Sequence, residues 1–310
     1  MNNGFSDIMD FSAGNNWQNH GVSQATMISY FNAISDALHG VNPSYRVWGP
    51  PQWDPTFYAN STFGNSPSMA TRCAGVIWMS YHGGGPNTDL TTPLDTMYGG
   101  FGVATTDSSS QRSALANTPL ANHPLAVIEY NMGENDTRSD TLAQNGRYMG
   151  AIYAACYLYG LFKNTTRMEF ACWQNIVMYA DEGVIGSRQQ GGNLTAVTAA
   201  GYFLGKAGQS LFGPEYTVTT SIANLAILAV KPSSTTFAIM LINYDLTNAR
   251  TVNLSVSAGG VPTGTITRWE IGKSSPGAPI TPTPVIGTQA SLATIAIASE
   301  TVVILTGTLA

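Results

Sequence analysis

Leu-Ala-Val-Ile-Glu-Tyr-Asn, residues 125–131, is an apolar run that ends in a carboxylate, an aromatic ring and an amide. Its apolar residues are consecutive, which is typical of a parallel strand covered on both faces. A carboxylate that closes such a strand is costly to bury unless it faces a partner or a site. Glu129 is therefore a candidate catalytic residue. The alternative is a strand-end glutamate that reaches solvent or an arginine.

Four further apolar runs before residue 213 predict strands of the same kind. They are Ile8–Ala13, Tyr45–Trp48, Gly75–His82 and Met168–Gln174. Helical spacing of apolar residues occurs between the strands, at 27–38, 148–162 and 193–211. Strands that alternate with helices predict βαβ units and a parallel sheet. The fold class is therefore α/β over residues 1–213.

After Pro214 the sequence becomes rich in Val, Ile and Thr, with turn residues between short runs. Such runs predict an antiparallel β-sandwich over residues 214–310. The predicted strands are Tyr216–Ile222, Asn224–Lys231, Thr236–Tyr244, Arg250–Val256, Thr265–Ile271, Ser291–Ala298 and Thr301–Thr306. Residues 276–284 are predicted to be a loop within this domain.

The composition narrows the class of partner. Charged residues make up 10% of the chain and the net charge is −5, so a nucleic-acid partner is not expected. The three cysteines have no metal-ligand spacing, and we expect neither a metal nor another cofactor. No run is apolar enough to span a membrane, and the first residues lack the features of a signal peptide. The polar, weakly charged surface favours an extracellular or periplasmic protein that binds carbohydrate.

Two other predicted strands also end in groups that suit a sugar site. Tyr81 and His82 end one strand and would hydrogen-bond a carboxylate or sugar hydroxyls, although a structural histidine is an equal alternative. Trp173 ends another strand and would form the floor of a sugar subsite, although a tryptophan there is more often part of the core. Catalytic residues of barrel enzymes lie at such strand ends.

The order of these strand ends resembles the clan A glycoside hydrolases. Trp48-Gly49-Pro50-Pro51 would end barrel strand five, Tyr81-His82 strand six, Glu129-Tyr130 strand seven and Trp173 strand eight. The resemblance implies a (β/α)8 barrel, here incomplete and made of strands four to eight, followed by the β-sandwich appended to arabinofuranosidase, β-xylosidase and endoglycanase barrels. It also implies that Glu129 is the nucleophile of a retaining glycosidase.

The chain departs from the clan A pattern at strand four. The family carries its general acid/base there as Gly-Asn-Glu, whereas residues 14–16 read Gly-Asn-Asn. Asn16 cannot donate and retrieve a proton, so ordinary retaining hydrolysis would lose its acid. Glu134, Asp181 and Glu182 follow strands seven and eight and are the alternative acids, and Asp7 and Asp10, which precede the end of strand four, are weaker candidates.

A second departure concerns the first three barrel strands, which have no counterpart in this chain. Five strands cannot close an eight-stranded barrel, and an open sheet edge invites pairing. The sequence is therefore either a shortened version of a longer enzyme or one whose sheet edge is covered by a second copy.

Three functions follow from the sequence. The first is a retaining glycoside hydrolase acting on a plant or microbial glycan, with Glu129 as nucleophile. Asn15, Asn16, Tyr81, His82, Tyr130 and Trp173 would bind its substrate. The second is a glycan-binding protein that has lost catalysis with the acid/base glutamate. The third is a structural fragment without activity.

Overall fold

The computed structural model describes residues 10–12, 21–49, 62–81, 110–131, 148–164, 168–173, 177–179, 185–187, 196–255, 262–277 and 282–310. These residues fall into two compact units. One comprises Met1–Ser80, Ala104–Tyr130 and Leu161–Cys172, and the other comprises Tyr81–Val103, Asn131–Gly160 and Trp173–Ala310.

Five strands occur where the sequence predicts the parallel sheet. They are β1 (Asp10–Ser12), β2 (Arg46–Trp48), β3 (Val76–Tyr81), β4 (Leu125–Asn131) and β5 (Met168–Trp173). The helices between them are α1 (Gln24–Val41), α2 (Pro67–Ala70) and α3 (Tyr148–Asn164). Residues 110–115 are also helical. The prediction of these five strands is confirmed.

The strands follow one another in chain order, and β1 to β4 run in one direction. β1 pairs with β2 in parallel, and β3, β4 and β5 form a sheet in that order. The Ala74 amide donates to the carbonyl of Val47 and the Gly49 amide to that of Gly75, which joins β2 to the start of β3. The Val76 amide donates to the Pro124 carbonyl. β3 and β4 therefore begin at the same end of the sheet and are parallel.

Helix α1 shows how local sequence sets an element in place. The Ser23 side chain accepts a hydrogen bond from the Thr26 amide and caps the amino end. Met27, Phe31 and Ser35 recur at four-residue spacing and form the buried face of the helix. The amide of Asn42 bonds back to the Leu38 carbonyl, and the helix ends there.

Three short strands and the helix α4 (Ala199–Ser210) precede the C-terminal sheets. The strands are β6 (Val177–Tyr179), β7 (Ile185–Ser187) and β8 (Ala196–Val197). β6 and β7 pair in parallel and β8 pairs with β7 in antiparallel fashion. None of the three was expected from the sequence. Because β8 occupies 196–197 and Thr198 caps the helix that follows, α4 starts later than the predicted residue 193.

Within the described part of residues 215–310 every regular element is a strand. The strands are β9 (Glu215–Tyr216), β10 (Leu225–Ser233), β11 (Thr236–Asn243), β12 (Arg250–Val252), β13 (Pro262–Gly272), β14 (Val285–Gln289), β15 (Ile295–Ile297) and β16 (Thr301–Leu309). A six-stranded sheet has the order β14-β13-β16-β11-β10-β9, and each pair of neighbouring strands in it is antiparallel. β12 and β15 form a second antiparallel pair.

The two C-terminal sheets share one hydrophobic core. Ile239 and Leu305 of the large sheet belong to the same buried cluster as Val252 and Ile295 of the small one. Every second residue of β11 from Phe237 to Leu241 belongs to this core, so one face of the large sheet points into it. β14 was absent from the prediction because its residues are almost all exposed and carry no buried alternation.

Candidate active site

The predicted nucleophile lies in the middle strand of the three-stranded sheet. Glu129 is two residues before the end of β4, and β4 lies between β3, which ends at Tyr81, and β5, which ends at Trp173. Because β3 and β4 start at the same end, Tyr81 and Glu129 both lie near the opposite, carboxyl edge. The strands that carry Tyr81, Glu129 and Trp173 are neighbours in the order β3, β4, β5, which is the chain order that the sequence predicts.

Only part of the predicted site falls within the described structure. For Tyr81, Glu129 and Trp173 the description covers the backbone and not the side chain. Asn15, Asn16 and His82 lie outside the described residues, as do the alternative acids Glu134, Asp181 and Glu182. The assignments of nucleophile, acid and sugar ligands stay predictions.

Tyr130 is the one predicted substrate ligand whose side chain is described. It is fully buried, with a relative exposure of 0%. Direct contact with a glycan would require neighbouring groups to move, so its ring serves first to pack β4 in place. A contribution of Tyr130 to substrate binding stays a prediction.

A charged cluster joins the amino ends of the strands and includes Asp10, one of the weaker candidates for the acid. Arg46 of β2 forms ion pairs with Asp10 of β1 at 2.8 Å and with Glu169 of β5 at 2.7 Å. The indole nitrogen of Trp48 donates to Asp10 at 2.7 Å. The guanidinium group of Arg46 also lies over the Trp48 ring, 5.5 Å from its centroid.

This cluster explains the role of Asp10. Partial burial acts to raise its pKa, but hydrogen bonds from Arg46 and Trp48 outweigh burial and hold the pKa of Asp10 below its ordinary value. Asp10 is held ionised by these hydrogen bonds and lies at the amino ends of the strands. Because barrel enzymes place their chemistry at the other end, we assign Asp10 a structural role. The sequence signal was weak: one arginine and two carboxylates, each at the start of a predicted strand.

Side chains of β2 reach across the sheet as far as β5. The Trp48 and Phe170 ring centroids are 4.8 Å apart in an edge-on arrangement. Trp48, Ile77 and Ala126 form a buried cluster against which Phe170 packs. Neighbouring strands are about 4.8 Å apart, so β2 and β5 would lie about 14 Å apart in a flat sheet. The contact therefore requires the sheet to curve.

The described residues include neither a metal-binding cluster nor a membrane-spanning helix. Among the described residues, no group of three or more histidine, cysteine, aspartate or glutamate side chains is arranged to hold a metal ion. No helix in that part of the chain is long and apolar enough to cross a membrane.

Comparisons in sequence identify no relative. No protein-family model matches the chain, and no curated protein matches it.

Comparison of the fold gives clear neighbours, and the three described next are carbohydrate-active enzymes. An α-L-arabinofuranosidase from Thermotoga maritima matches with a TM-score of 0.68 and 11% identity, over 95% of this chain and 64% of that one. A family 51 arabinofuranosidase from Xanthomonas axonopodis pv. citri matches with a TM-score of 0.67, 15% identity and coverage of 96% and 66%. A family 44 endoglucanase from Clostridium acetobutylium gives a TM-score of 0.62, 14% identity and coverage of 97% and 66%.

The chain thus spans about two thirds of the length of the enzymes it resembles, 64% to 66% in these three cases. The likeness extends over nearly all of this chain, through both the mixed α/β part and the C-terminal sheets. At these identities it concerns the fold alone. The predicted resemblance is confirmed at that level: this chain has the fold of the clan A glycoside hydrolases.

Proposed function

We propose that the chain is a retaining glycoside hydrolase that acts on a plant or microbial glycan, with Glu129 as its nucleophile. The observation that carries the proposal is the position of Glu129 near the carboxyl end of β4, the middle strand of the three-stranded sheet, in a chain with a clan A fold. Barrel enzymes place their catalytic groups at that end.

In the proposed mechanism the Glu129 carboxylate attacks the anomeric carbon as the bond to the leaving oxygen breaks. The product is a glycosyl ester on Glu129, which water then hydrolyses. Tyr81 and His82 would hydrogen-bond the nucleophile or the sugar hydroxyls, and Asn15, Tyr130 and Trp173 would complete the sugar-binding surface.

The scheme also needs an acid that protonates the leaving oxygen. By the sequence resemblance, Asn16 stands where clan A enzymes carry their glutamate, and an amide cannot perform the proton transfer. Glu134, Asp181 and Glu182 are the candidates to replace it. Without any of them, only substrates with activated leaving groups would be cleaved at an appreciable rate.

A second candidate function follows from the same substitution. A chain that lost its acid/base glutamate and kept its sugar-binding surface would be a non-catalytic glycan-binding protein. The presence of Asn16 favours this alternative, and the strand order favours the enzyme.

For the architecture we propose an incomplete (β/α)8 barrel over residues 1–213, made of strands four to eight, followed by a β-sandwich over 214–310. The curvature required by the Trp48–Phe170 contact supports a barrel wall, and the shared core of the two C-terminal sheets supports a sandwich.

We further propose that a second copy covers the open edge at β1. On α1, Ile34 and Val41 are 38% and 76% exposed and would join that interface. An extracellular or periplasmic location suits a glycan substrate.

The test of the proposed function is a panel of aryl-glycosides and natural oligosaccharides, assayed with the parent chain and with Glu129→Gln. The amide keeps the shape of the side chain and removes the nucleophile, so we expect hydrolysis of every cleaved substrate to be abolished. Glu215→Gln, at an exposed position in β9, is the matched control and should retain activity. Full activity in Glu129→Gln would exclude the nucleophile assignment, and binding without hydrolysis in the parent would favour the glycan-binding protein.

A further inference from the structure

Helix α1 carries a second apolar face, separate from the face that it buries. Tyr30, Ile34 and Val41 are 55%, 38% and 76% exposed, and Ala33 and Ala37 between them are exposed as well. The spacing of these five residues follows the helical repeat, so they form one stripe along the helix. Surface helices carry polar and charged residues at such positions. A contiguous exposed apolar stripe indicates a surface that another molecule covers.

The other flank of α1 shows in which direction the stripe faces. The Asn32 side chain donates to the Ser68 hydroxyl at 3.0 Å, and Asp36 pairs with Arg72 at 2.7 Å. Asn32 and Asp36 therefore face the segment that follows β2. Residues of an α-helix are about 100° apart, which puts the stripe about half a turn away from these two side chains. The stripe thus points the other way, toward the edge of β1 that pairs with no other described strand.

The stripe carries no charge that would repel a second copy of itself. Asp36 is the one acidic residue of α1, which has neither lysine nor arginine, and it is engaged with Arg72 on the other flank. The His39 ring lies off the stripe too, where its Nε2 is 2.9 Å from the Tyr45 carbonyl oxygen. Two copies of the stripe would therefore meet without placing like charges together.

The order of large and small residues makes the stripe complementary to itself. An antiparallel pair of α1 helices, centred between Ile34 and Ala37, brings Ile34 of one copy against Ala37 of the other. The same register brings Tyr30 against Val41. A branched side chain then faces a small one on both sides of the axis, as in a two-fold interface in which the same patch binds itself.

The free edge of β1 fits the same two-fold arrangement. An axis perpendicular to the sheet places β1 beside β1 of the second copy in antiparallel direction and keeps both α1 helices on one face of the joined sheet. An open strand edge presents unpaired backbone groups, and this pairing would satisfy them. β1 spans three residues and α1 spans 18, so the helices would supply most of the contact.

We propose that α1 is a dimer interface, in which the stripe of Tyr30, Ala33, Ile34, Ala37 and Val41 packs antiparallel against the same stripe of a second copy. The inference rests on the second copy proposed at the edge of β1, and it specifies the surface and the register by which that copy binds. The carboxyl edges of the two sheets then point in opposite directions. Each copy therefore keeps a proposed active site of its own.

The test measures the dimer dissociation constant of the full chain by analytical ultracentrifugation. Ile34→Asp buries one carboxylate from each copy and should weaken association by at least about 100-fold. Ala37→Ile crowds the contact with Ile34 and should weaken association about 10-fold to 100-fold, whereas a non-specific apolar contact would become tighter. The double variant Ile34→Ala with Ala37→Ile again sets a large residue against a small one and should recover most of the affinity. Ile286→Asp, at a position of β14 that is 70% exposed, is the matched control and should associate as the parent does.

Three results would overturn the inference. They are a parent chain that is monomeric at every concentration, tighter association of Ala37→Ile, and equal association of Ile34→Asp and Ile286→Asp. Circular dichroism separates dissociation of Ile34→Asp from unfolding. If that variant unfolds, Ala37→Ile and the double variant decide the matter, and a double variant no tighter than Ala37→Ile would contradict the register.

Aryl-glycoside hydrolysis, measured in parallel, separates this inference from the proposed function. Hydrolysis per chain should be the same in folded Ile34→Asp as in the parent, because the stripe lies outside the proposed active site. A parent that forms the dimer and cleaves no glycoside would remove the proposed function and leave the interface. Hydrolysis by a parent that is monomeric at every concentration would remove the interface and leave the function.

Discussion

The Trp48 and Phe170 rings are in edge-on contact, with centroids 4.8 Å apart, although β2 is joined by backbone hydrogen bonds to the start of β3 and β5 lies on the far side of β4 in the sheet β3-β4-β5. Arg46 and Glu169 form an ion pair between the same two strands at 2.7 Å. These contacts bridge the sheet and fix its curvature. The strand ends proposed to carry catalysis depend on this curvature for their relative positions.

Gly75 gives the first prediction, because the indole ring of Trp48 lies over it. A Cβ at Gly75 would lie 2.7 Å from Cε3 of Trp48 and 2.8 Å from the Pro124 carbonyl oxygen. Gly75→Ala should therefore lower the free energy of unfolding by about 1–3 kcal/mol, the cost of overpacking. Urea unfolding measures the loss.

Gly205 is the matched control for this substitution. It lies on α4, and a Cβ there meets nothing within 4 Å. Gly205→Ala should be neutral or stabilising by up to about 1 kcal/mol through helix propensity. Equal effects of the two substitutions would show that Trp48 is not held over Gly75.

Asp245 gives a prediction about acid stability. Hydrogen bonds from the backbone amides of Asn248 and Thr247 hold the pKa of Asp245 well below its ordinary value of 3.8, against the opposing effect of burial. Arg250 also pairs with this carboxylate. The pKa of Asp245 is lower in the folded state than in the unfolded state. Its contribution to the free energy of unfolding is therefore fully present above about pH 3.8 and is lost as the pH falls below that value.

Asp245→Asn should therefore lower the free energy of unfolding by about 1–3 kcal/mol at pH 7. The difference from the parent should shrink steadily below pH 4, and denaturant unfolding over a pH series measures it. Asp36→Asn is the control, because the exposed Asp36–Arg72 pair should contribute much less. A difference in unfolding free energy between the parent and Asp245→Asn that stays constant to low pH would contradict the electrostatic explanation.

Glu300 gives a prediction with the opposite sign. Burial raises the pKa of this carboxyl despite Lys273, whose ammonium lies 2.6 Å from Oε2, and Tyr148, whose hydroxyl donates to Oε1 at 3.2 Å. A raised folded-state pKa means that stability is lost as the pH rises from the ordinary glutamate value of 4.5 to the folded-state value. When Glu300 is ionised, its buried charge is stabilised by Lys273 and by the hydroxyl of Tyr148.

Tyr148→Phe removes one donor to the ionised carboxylate. It should lower the free energy of unfolding by about 1.5–3 kcal/mol above the titration window of Glu300 and by less below it, where the group is neutral. Thermal unfolding at pH 4 and pH 8 gives the comparison, with Tyr202→Phe as control. A larger loss at pH 4 than at pH 8 would contradict the assignment.

The sequence predicted the elements whose burial is uniform and missed those whose stability depends on neighbours. The continuous apolar runs at 76–79 and 125–128 mark buried strands, and the structure has β3 and β4 there. β14 was missed because Val285 and Ile286 are exposed on a strand held by pairing with β13. A short apolar pair beside a glycine gives no periodic signal.

The same distinction applies to the site. Glu129 stands out because a carboxylate interrupts an apolar run, and the order of the strand ends follows from the chain order of parallel strands. The Arg46–Asp10–Glu169 cluster could not be predicted, because it joins residues 36 and 123 positions apart. Only the curvature of the sheet brings Glu169 to Arg46.

The nucleophile assignment is tested most directly by trapping the glycosyl-enzyme intermediate. The chain is incubated with activated 2-deoxy-2-fluoro glycosides of arabinose, xylose and glucose, in which the fluorine slows hydrolysis of the ester, and its peptides are then analysed by mass spectrometry. We predict that one glycosyl group is attached to the peptide containing Glu129, on the Glu129 carboxylate, and that Glu129→Gln is not labelled. Rapid hydrolysis of the parent glycosides with the label on another carboxylate, or with no label on any peptide, would contradict the account.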